Sequence, residues 1–293
     1  PEAVFLTAVM KGNMLIFAPL CLLLCWILPV DSMKVSGINS DLPFILSIKF
    51  IFSLPEAKQG IRLSMAEDAL DDMYFGCNKT MTIRIKHYFK KENAGTFAAA
   101  WKKAQGCAKK RLENKDRGGE ALTKDHLQAI CVYTSSHPQI YREFNDAILK
   151  SKGAYSTSFP FHFLHFWLTS AVQILSNDIR CHTTYRRTNA EFTGNVNQII
   201  RFGLFASSSY IPTLTHFGKK TCFKIETCSG AFLKNYSSVG DYEQEVLIPP
   251  YEKFNITQKK KGWDIEGLGD CEVVYILESA GVQSNLNCNA AYK

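Results

Sequence analysis

The sequence predicts an α+β fold, helical in its first half and strand-rich in its second. Three observations predict it. From about residue 62 the apolar residues recur at helical spacing. After residue 177 the chain breaks into short β-branched and aromatic runs, punctuated by Gly, Pro and Asn. No internal repeat and no strand–helix alternation appears. Helices first and strands after favour α+β over a βαβ array. With 46% hydrophobic and 21% charged residues, the 293-residue chain has ordinary globular composition and enough length for one large domain. The net charge of +7 is mild. No arginine-rich arm and no basic stripe with interleaved aromatics points to nucleic acid. The one lysine triplet, "QKKKGW" (258–263), reads as a solvated loop.

The opening segment reads as processing sequence. Met10-Lys11 precedes the apolar run "LIFAPLCLLLCWILPV" (15–30), followed by small polar residues. This predicts a secretory signal over about 10–32. The run is shorter than the about 20 apolar residues a span requires and carries two prolines, so no stable membrane span is expected. Residues 33–61 are left unassigned. They contain "DLPFILSIKFIFSLP" (41–55), either a strand or a stretch foreign to the mature protein. Residues 62–293 form the expected domain, and the tail "SNLNCNAAYK" shows no lipid-anchor signal.

Within the domain, "SMAEDALDDMYFGC" offers Ser64 and Glu67 as a capping box, predicting a helix. "WKKAQGCAKKRLEN" is a polar-faced helix. "LTKDHLQAICVYTS" follows Thr123 as N-cap. "HPQIYREFNDAILK" places Pro138 at a helix start, with Ile140, Phe144, Ala147 and Ile148 on one face. "FHFLHFWLTSAVQILS" is apolar nearly all round and so predicted to be buried. "CHTTYRRT", "IIRFGLFASSSY", "TCFKIETC", "EVLIPPYEKFNIT" and "CEVVYILES" read as strands.

Eight of the ten cysteines lie beyond the expected signal, an even count that implies disulfides in an exported chain. Eight cysteines allow 105 pairings, which spacing alone does not resolve. Sequons at Asn78, Asn235 and Asn255 agree with export to an extracellular location.

Three polar features stand in the strand-rich half: Arg186 in "TTYRRT", Ser207, Ser208 and Ser209 in "FASSSY", and Glu243-Gln-Glu245. On an extended strand Glu243 and Glu245 would share a face. Like charges so close are unfavourable unless a cation lies between them. His162 and His165, three apart on the apolar helix, could present a metal face. No third ligand accompanies them, so they read as core histidines. No G-x-S-x-G elbow supports a hydrolase triad.

The blocks "AEDALDDMYFGC", "LTKDHLQAICVYT", "YREFNDAI", "TTYRRT", "RFGLFASSS", "FGKKTCFKIETCSGAFLKNYS" and "EQEVLIPPYEKFNIT" occur in an order that resembles the vertebrate ecto-ADP-ribosyltransferases, fish members above all. The resemblance is to NAD-arginine enzymes with an Arg-Ser-Glu-x-Glu signature. It implies a core of two packed β-sheets, NAD as cosubstrate, no metal, and arginine on an extracellular protein as acceptor. Glu245 would stabilise the ribosyl cation and bind a ribose hydroxyl, and Glu243 would orient the acceptor guanidinium. Arg186 would pair with NAD phosphate oxygens, and Ser207 would bond the nicotinamide ribose, with Ser209 in support. Phe217 would stack near nicotinamide. Cys77 would bridge to Cys288 and Cys181 to Cys228; the resemblance assigns no partners to Cys107, Cys131, Cys222 and Cys271. Many members have Gly after the signature Arg where this chain has Arg187. A long side chain there would crowd nicotinamide unless it turns away. NAD hydrolysis, or a silent binding domain of the same fold, are the alternatives.

Overall fold

The computed structural model describes residues 60–113, 121–135, 138–176 and 180–292. The expected signal and residues 33–59 lie outside the described residues. Five helices come first: α1 (Asn78–Glu92), α2 (Gly95–Glu113), α3 (Lys124–Tyr133), α4 (Pro138–Lys150) and α5 (His162–Leu175). They follow a two-residue strand, β1 (Ile61–Arg62). The strands β2 (His182–Thr188), β3 (Phe192–Thr193), β4 (Ile199–Arg201), β5 (Ala206–Ser209), β6 (Thr221–Thr227), β7 (Ala231–Phe232), β8 (Glu245–Ile248), β9 (Glu252–Lys260) and β10 (Val273–Val282) come next. A short α6 (Asn289–Tyr292) ends the described chain. The α+β class is as expected.

β1 pairs only with β3, while the other strands join in the order β4-β9-β10-β6-β2-β5-β8-β7. One residue pair, Tyr185 with Ser209, links β2 to β5. The large sheet is therefore two blocks of strands meeting at a narrow seam. Phe223, Ile225, Phe254, Ile256, Tyr275 and Leu277 of one block pack with Ala206 and Ile248 of the other. A second core joins the helices to β7 and β8 through Ala231 and Leu247. α5 runs through that core with every residue from His162 to Val172 buried, as its apolar circumference requires.

Two predicted continuous elements are broken. "IIRFGLFASSSY" becomes β4 and β5, because Gly203 adopts φ +68° and packs where a Cβ would lie 2.5 Å from the Ala66 Cβ. "EVLIPPYEKF" becomes β8 and β9 around the prolines, which cannot donate to a ladder.

The helix expected at 64–77 does not form. Ser64 Oγ accepts from the Ala66 amide instead, and Ala66 has φ 46°. Tertiary bonds decide this segment, since Asp71 and Asp72 are fully buried. Asp71 accepts from the amides of Asn285 and Leu286 at 2.9 and 3.0 Å, and pairs with Arg201 Nη1 at 2.8 Å. Asp72 accepts from the Cys288 amide at 2.9 Å and from the Tyr155 hydroxyl at 2.7 Å. These carboxylates staple the C-terminal tail to the start of the domain. The Cys77–Cys288 disulfide closes the same junction. The other bridges are Cys181–Cys228, Cys107–Cys131 and Cys222–Cys271.

His162 and His165 are core residues. His162 Nδ1 lies 2.7 Å from Glu92 Oε1 and its Nε2 2.6 Å from the Tyr155 carbonyl. The Glu92 carboxylate also accepts the His162 and Phe163 amides, capping α5. His165 Nδ1 meets the Tyr74 hydroxyl at 2.8 Å, and burial pushes its pKa down to about 3.

The Asp71–Arg201 pair is 0% exposed on both sides. Asp71→Ala leaves that guanidinium buried without its counter-charge, and should cost about 3–5 kcal/mol. Urea unfolding of the oxidised protein measures it; a loss below about 1 kcal/mol would contradict the assignment.

Candidate active site

The narrow seam between the strand blocks is where the singled-out residues meet. Tyr185 of β2 pairs with Ser209 of β5, and Ser209 pairs with Glu245 of β8. Adjacent strands lie about 5 Å apart, so Arg186, the serine strand and Glu245 come together. They line a cleft of about 480 Å³ with Glu243, Phe217, Tyr133, Thr134, Tyr141, Ile211 and Leu214.

Glu245 opens β8 and is only 7% exposed. The Ser207 and Ser237 hydroxyls donate to its carboxylate, Ser237 Oγ to Oε2 at 3.3 Å. Burial pushes the Glu245 pKa up to about 7, and the Glu243 charge adds to the rise. The two serines and Arg186 pull the other way. Arg186 Nη1 donates to the Ser207 carbonyl at 2.6 Å, so its guanidinium is set against β5.

Glu243 reaches the cleft by a different route from the strand alternation expected. It lies in a turn at 241–243, and β8 begins only at Glu245. Between them Gln244 takes φ +44°, in the left-handed region, and that kink brings both glutamates to one cleft. Ser209 Oγ donates to the Glu243 carbonyl at 2.6 Å and accepts the Ile211 amide at 2.8 Å. The helices hold the other end of this loop. Arg111 Nη2 of α2 donates to the Ser237 carbonyl at 2.8 Å, and the Ser238 amide donates to Thr134 Oγ1 at 2.8 Å. The Ser238 hydroxyl also donates to the Thr134 carbonyl.

Arg187 lines the cleft with its neighbours, yet its guanidinium is turned into the protein. It donates to the carbonyls of Pro212 (2.6 Å), Gly218 (3.4 Å) and Gly267 (2.9 Å), and to Asp270 Oδ1 (3.0 Å). The crowding side chain considered from sequence is thus committed elsewhere. Phe217 ends a 3₁₀ turn, Thr215–Phe217, on the cleft wall, 47% exposed and tilted against His216.

Sequence reasoning missed Ser237, read there only as the third residue of the Asn235 sequon. It also gave no role to Tyr133 and Thr134, although they stand in a quoted block. Asn78 and Asn235 are exposed. Asn255 lies within β9, half-buried, and its Oδ1 has no partner among the described residues. Cys181, Glu226 and Cys228 are close enough to suggest a metal cluster, but both sulfurs are joined in a disulfide.

The site combines a fixed cation, a buried carboxylate poised to ionise near neutrality, hydroxyl donors and an apolar wall. That set suits an anionic ligand with an apolar part, and a reaction in which positive charge develops beside the carboxylate. The comparisons agree. The profile of the family described as NAD:arginine ADP-ribosyltransferase matches residues 63–266. An erythroblast NAD(P)(+)--arginine ADP-ribosyltransferase of Gallus gallus is 34% identical over 228 residues, covering 74% of this chain and 75% of that protein. Ecto-ADP-ribosyltransferase 5 of Bos taurus is 35% identical over 244 residues, covering 77% and 73%. A mutant of the eukaryotic mono-ADP-ribosyltransferase ART2.2, crystallised with NADH, superposes with TM-score 0.66 at 28% identity. That match covers 78% of this chain and 98% of the other. With a profile match over most of the domain and relatives of this similarity, the chain belongs to the NAD:arginine ADP-ribosyltransferase family.

Proposed function

We propose that this chain is a mono-ADP-ribosyltransferase that moves ADP-ribose from NAD to arginine side chains of extracellular proteins, releasing nicotinamide. The observation that carries the reading is the buried Glu245 carboxylate, bonded to two serines one strand from the ladder that bears Arg186. The bond between ribose C1′ and the nicotinamide nitrogen breaks, and nicotinamide leaves with the electron pair. Positive charge then develops on the ribosyl ring. The ionised Glu245 opposes that charge without a metal, in a site where water screens it little. Ser207 and Ser237 hold the carboxylate in place.

Arg186 neutralises phosphate oxygens with a permanently charged planar fork. Glu243, less buried than Glu245, receives the acceptor guanidinium and takes its proton as the new C–N bond forms. Phe217 and Leu214 offer the apolar wall for the nicotinamide ring. Water in place of the acceptor gives NAD hydrolysis from the same intermediate, so hydrolysis is a side activity of this geometry.

Four disulfides and relatives named as ecto-enzymes support an extracellular setting. Among the described residues no helix is long and apolar enough to cross a membrane. In this reading residues 10–32 are the signal, 62–293 the transferase domain, and Asn78 and Asn235 accessible glycan acceptors.

Glu245→Gln should abolish both transfer and NAD cleavage, while Glu243→Gln should lose transfer to an arginine analogue and keep cleavage. Etheno-NAD turnover with and without the analogue reads both; parent-like behaviour of both variants would refute the site. Stability gives an independent check on Glu245. Its folded pKa of about 7 lies above the unfolded 4.5, so ionisation penalises the fold increasingly from 4.5 to 7 and fully above. Glu245→Gln should therefore unfold later than the parent at alkaline pH, by on the order of 1–3 kcal/mol, with less difference in acid.

Activity follows the opposite sense. Only the ionised carboxylate opposes the ribosyl cation, so kcat/KM for NAD should rise as pH passes through about 7 and then level off. Ser237→Ala removes one donor to the carboxylate and should move that midpoint upward. A flat profile from acid to alkaline pH would contradict the role given to Glu245.

A further inference from the structure

Arg187 is a buried cation whose expense needs a reason. Its side chain is 2% exposed, and a guanidinium withdrawn from water is tolerated only when its donors are satisfied. Here they bridge two loops that belong to different parts of the sheet. One is the 210–220 loop between β5 and β6, bonded at the Pro212 and Gly218 carbonyls. The other is the 261–272 loop between β9 and β10, bonded at the Gly267 carbonyl and Asp270.

The second loop is already fixed. Cys271 is joined to Cys222 of β6, and the Gly262 amide donates to the Cys271 carbonyl at 3.1 Å. The first loop rests on it. A Cβ at Gly267 would lie 2.5 Å from Pro212 Cγ, and one at Gly218, which has φ +136°, 2.3 Å from the Thr188 backbone. Directional bonds also tie the far end of the first loop, where the Glu272 amide donates to the Lys219 carbonyl at 2.8 Å and Lys219 Nζ lies 3.6 Å from Asp270 Oδ2. Along the wall itself, the carbonyls of Pro212 and Gly218 are bonded by the planar fork of Arg187, the side chain that reaches both among the described residues. The first loop carries Ile211, Leu214 and Phe217, the apolar wall of the cleft. Arg187 follows directly on Arg186 in β2, so one short strand sets both the cation of the site and the wall facing it.

We propose that Arg187 is a positioning residue for the dinucleotide: it locks the 210–218 wall in its binding form and thereby sets the affinity for NAD, not the chemistry at Glu245. This rests on the transferase reading and extends it. Of the two placements the sequence left open, crowding the cleft or turning away from it, Arg187 takes the second.

The decisive variants are Arg187→Gly and Arg187→Lys. Obstruction predicts that Arg187→Gly lowers the KM for NAD. Positioning predicts that Arg187→Gly and Arg187→Lys both raise it roughly tenfold, the cost of ordering one or two loose side chains at a binding surface. In both, kcat should stay within about twofold, because transition-state contacts are untouched. Hydrogen–deuterium exchange should quicken at 210–218 and stay unchanged in 182–186. Arg187→Lys keeps the charge, and its melting temperature shows whether it folds if the glycine variant does not. Parent-like exchange at 210–218, a parent-like or lowered KM, or a fall in melting temperature alone would overturn the proposal. A parent that binds NAD by calorimetry but neither cleaves nor transfers it would sink the transferase reading, and Kd then replaces KM in the comparison. A parent that does not bind NAD overturns both.

Discussion

A carboxylate kept from water but not from hydrogen bonds is the constraint on which the rest of this structure depends. Glu245 sits at the first residue of β8, where the helical core, the serine strand and the cleft meet. Full solvation would leave it an ordinary acid. Burial without donors would leave it neutral and useless against a cation. The chain takes a middle course, with Ser207 from β5 and Ser237 from the preceding loop supplying donors. Both must be held by something else, and the architecture can be followed outward from that need.

On the sheet side, Ser207 is placed by the single-pair seam at Tyr185 and Ser209, with the Arg186 guanidinium set on the Ser207 carbonyl. On the helical side, Ser237 is placed by Arg111 of α2, and Ser238 by Thr134 at the end of α3. The Cys107–Cys131 bridge ties those two helices together. The helices are therefore more than a cover for the sheet, since they fix the loop that leads to Glu243. The opposite wall has its own fastening in Arg187 and the Cys222–Cys271 bridge. Each side of the cleft thus combines a covalent bridge with an arginine that donates to backbone carbonyls.

The closure of the domain follows similar physics at a distance from the site. Asp71 and Asp72 are buried charges that accept the amides of the C-terminal tail. A buried carboxylate surrounded by donors specifies one arrangement sharply, because any misplacement leaves it unpaired. The cost to local structure is visible: a segment with helical spacing and a capping box is drawn out into turns.

The sequence by itself determined the α+β order, four of the five long helices, most strands and the family. All of these rest on local periodicity, turn residues or contiguous motifs. It also singled out Arg186, Ser207, Glu243, Glu245 and Phe217, though the shared face of the two glutamates was argued from a strand that does not extend to Glu243. Tertiary structure alone decided the positive φ at Gln244, the donor role of Ser237, the inward turn of Arg187, the pairing of four further cysteines and the unwinding of 64–77. Each of these depends on a partner remote in the chain or on a backbone angle set by packing. Cys288 and Asp72, 216 residues apart, meet in one hydrogen bond, and spacing along a chain carries no trace of a contact that only the folded core brings about.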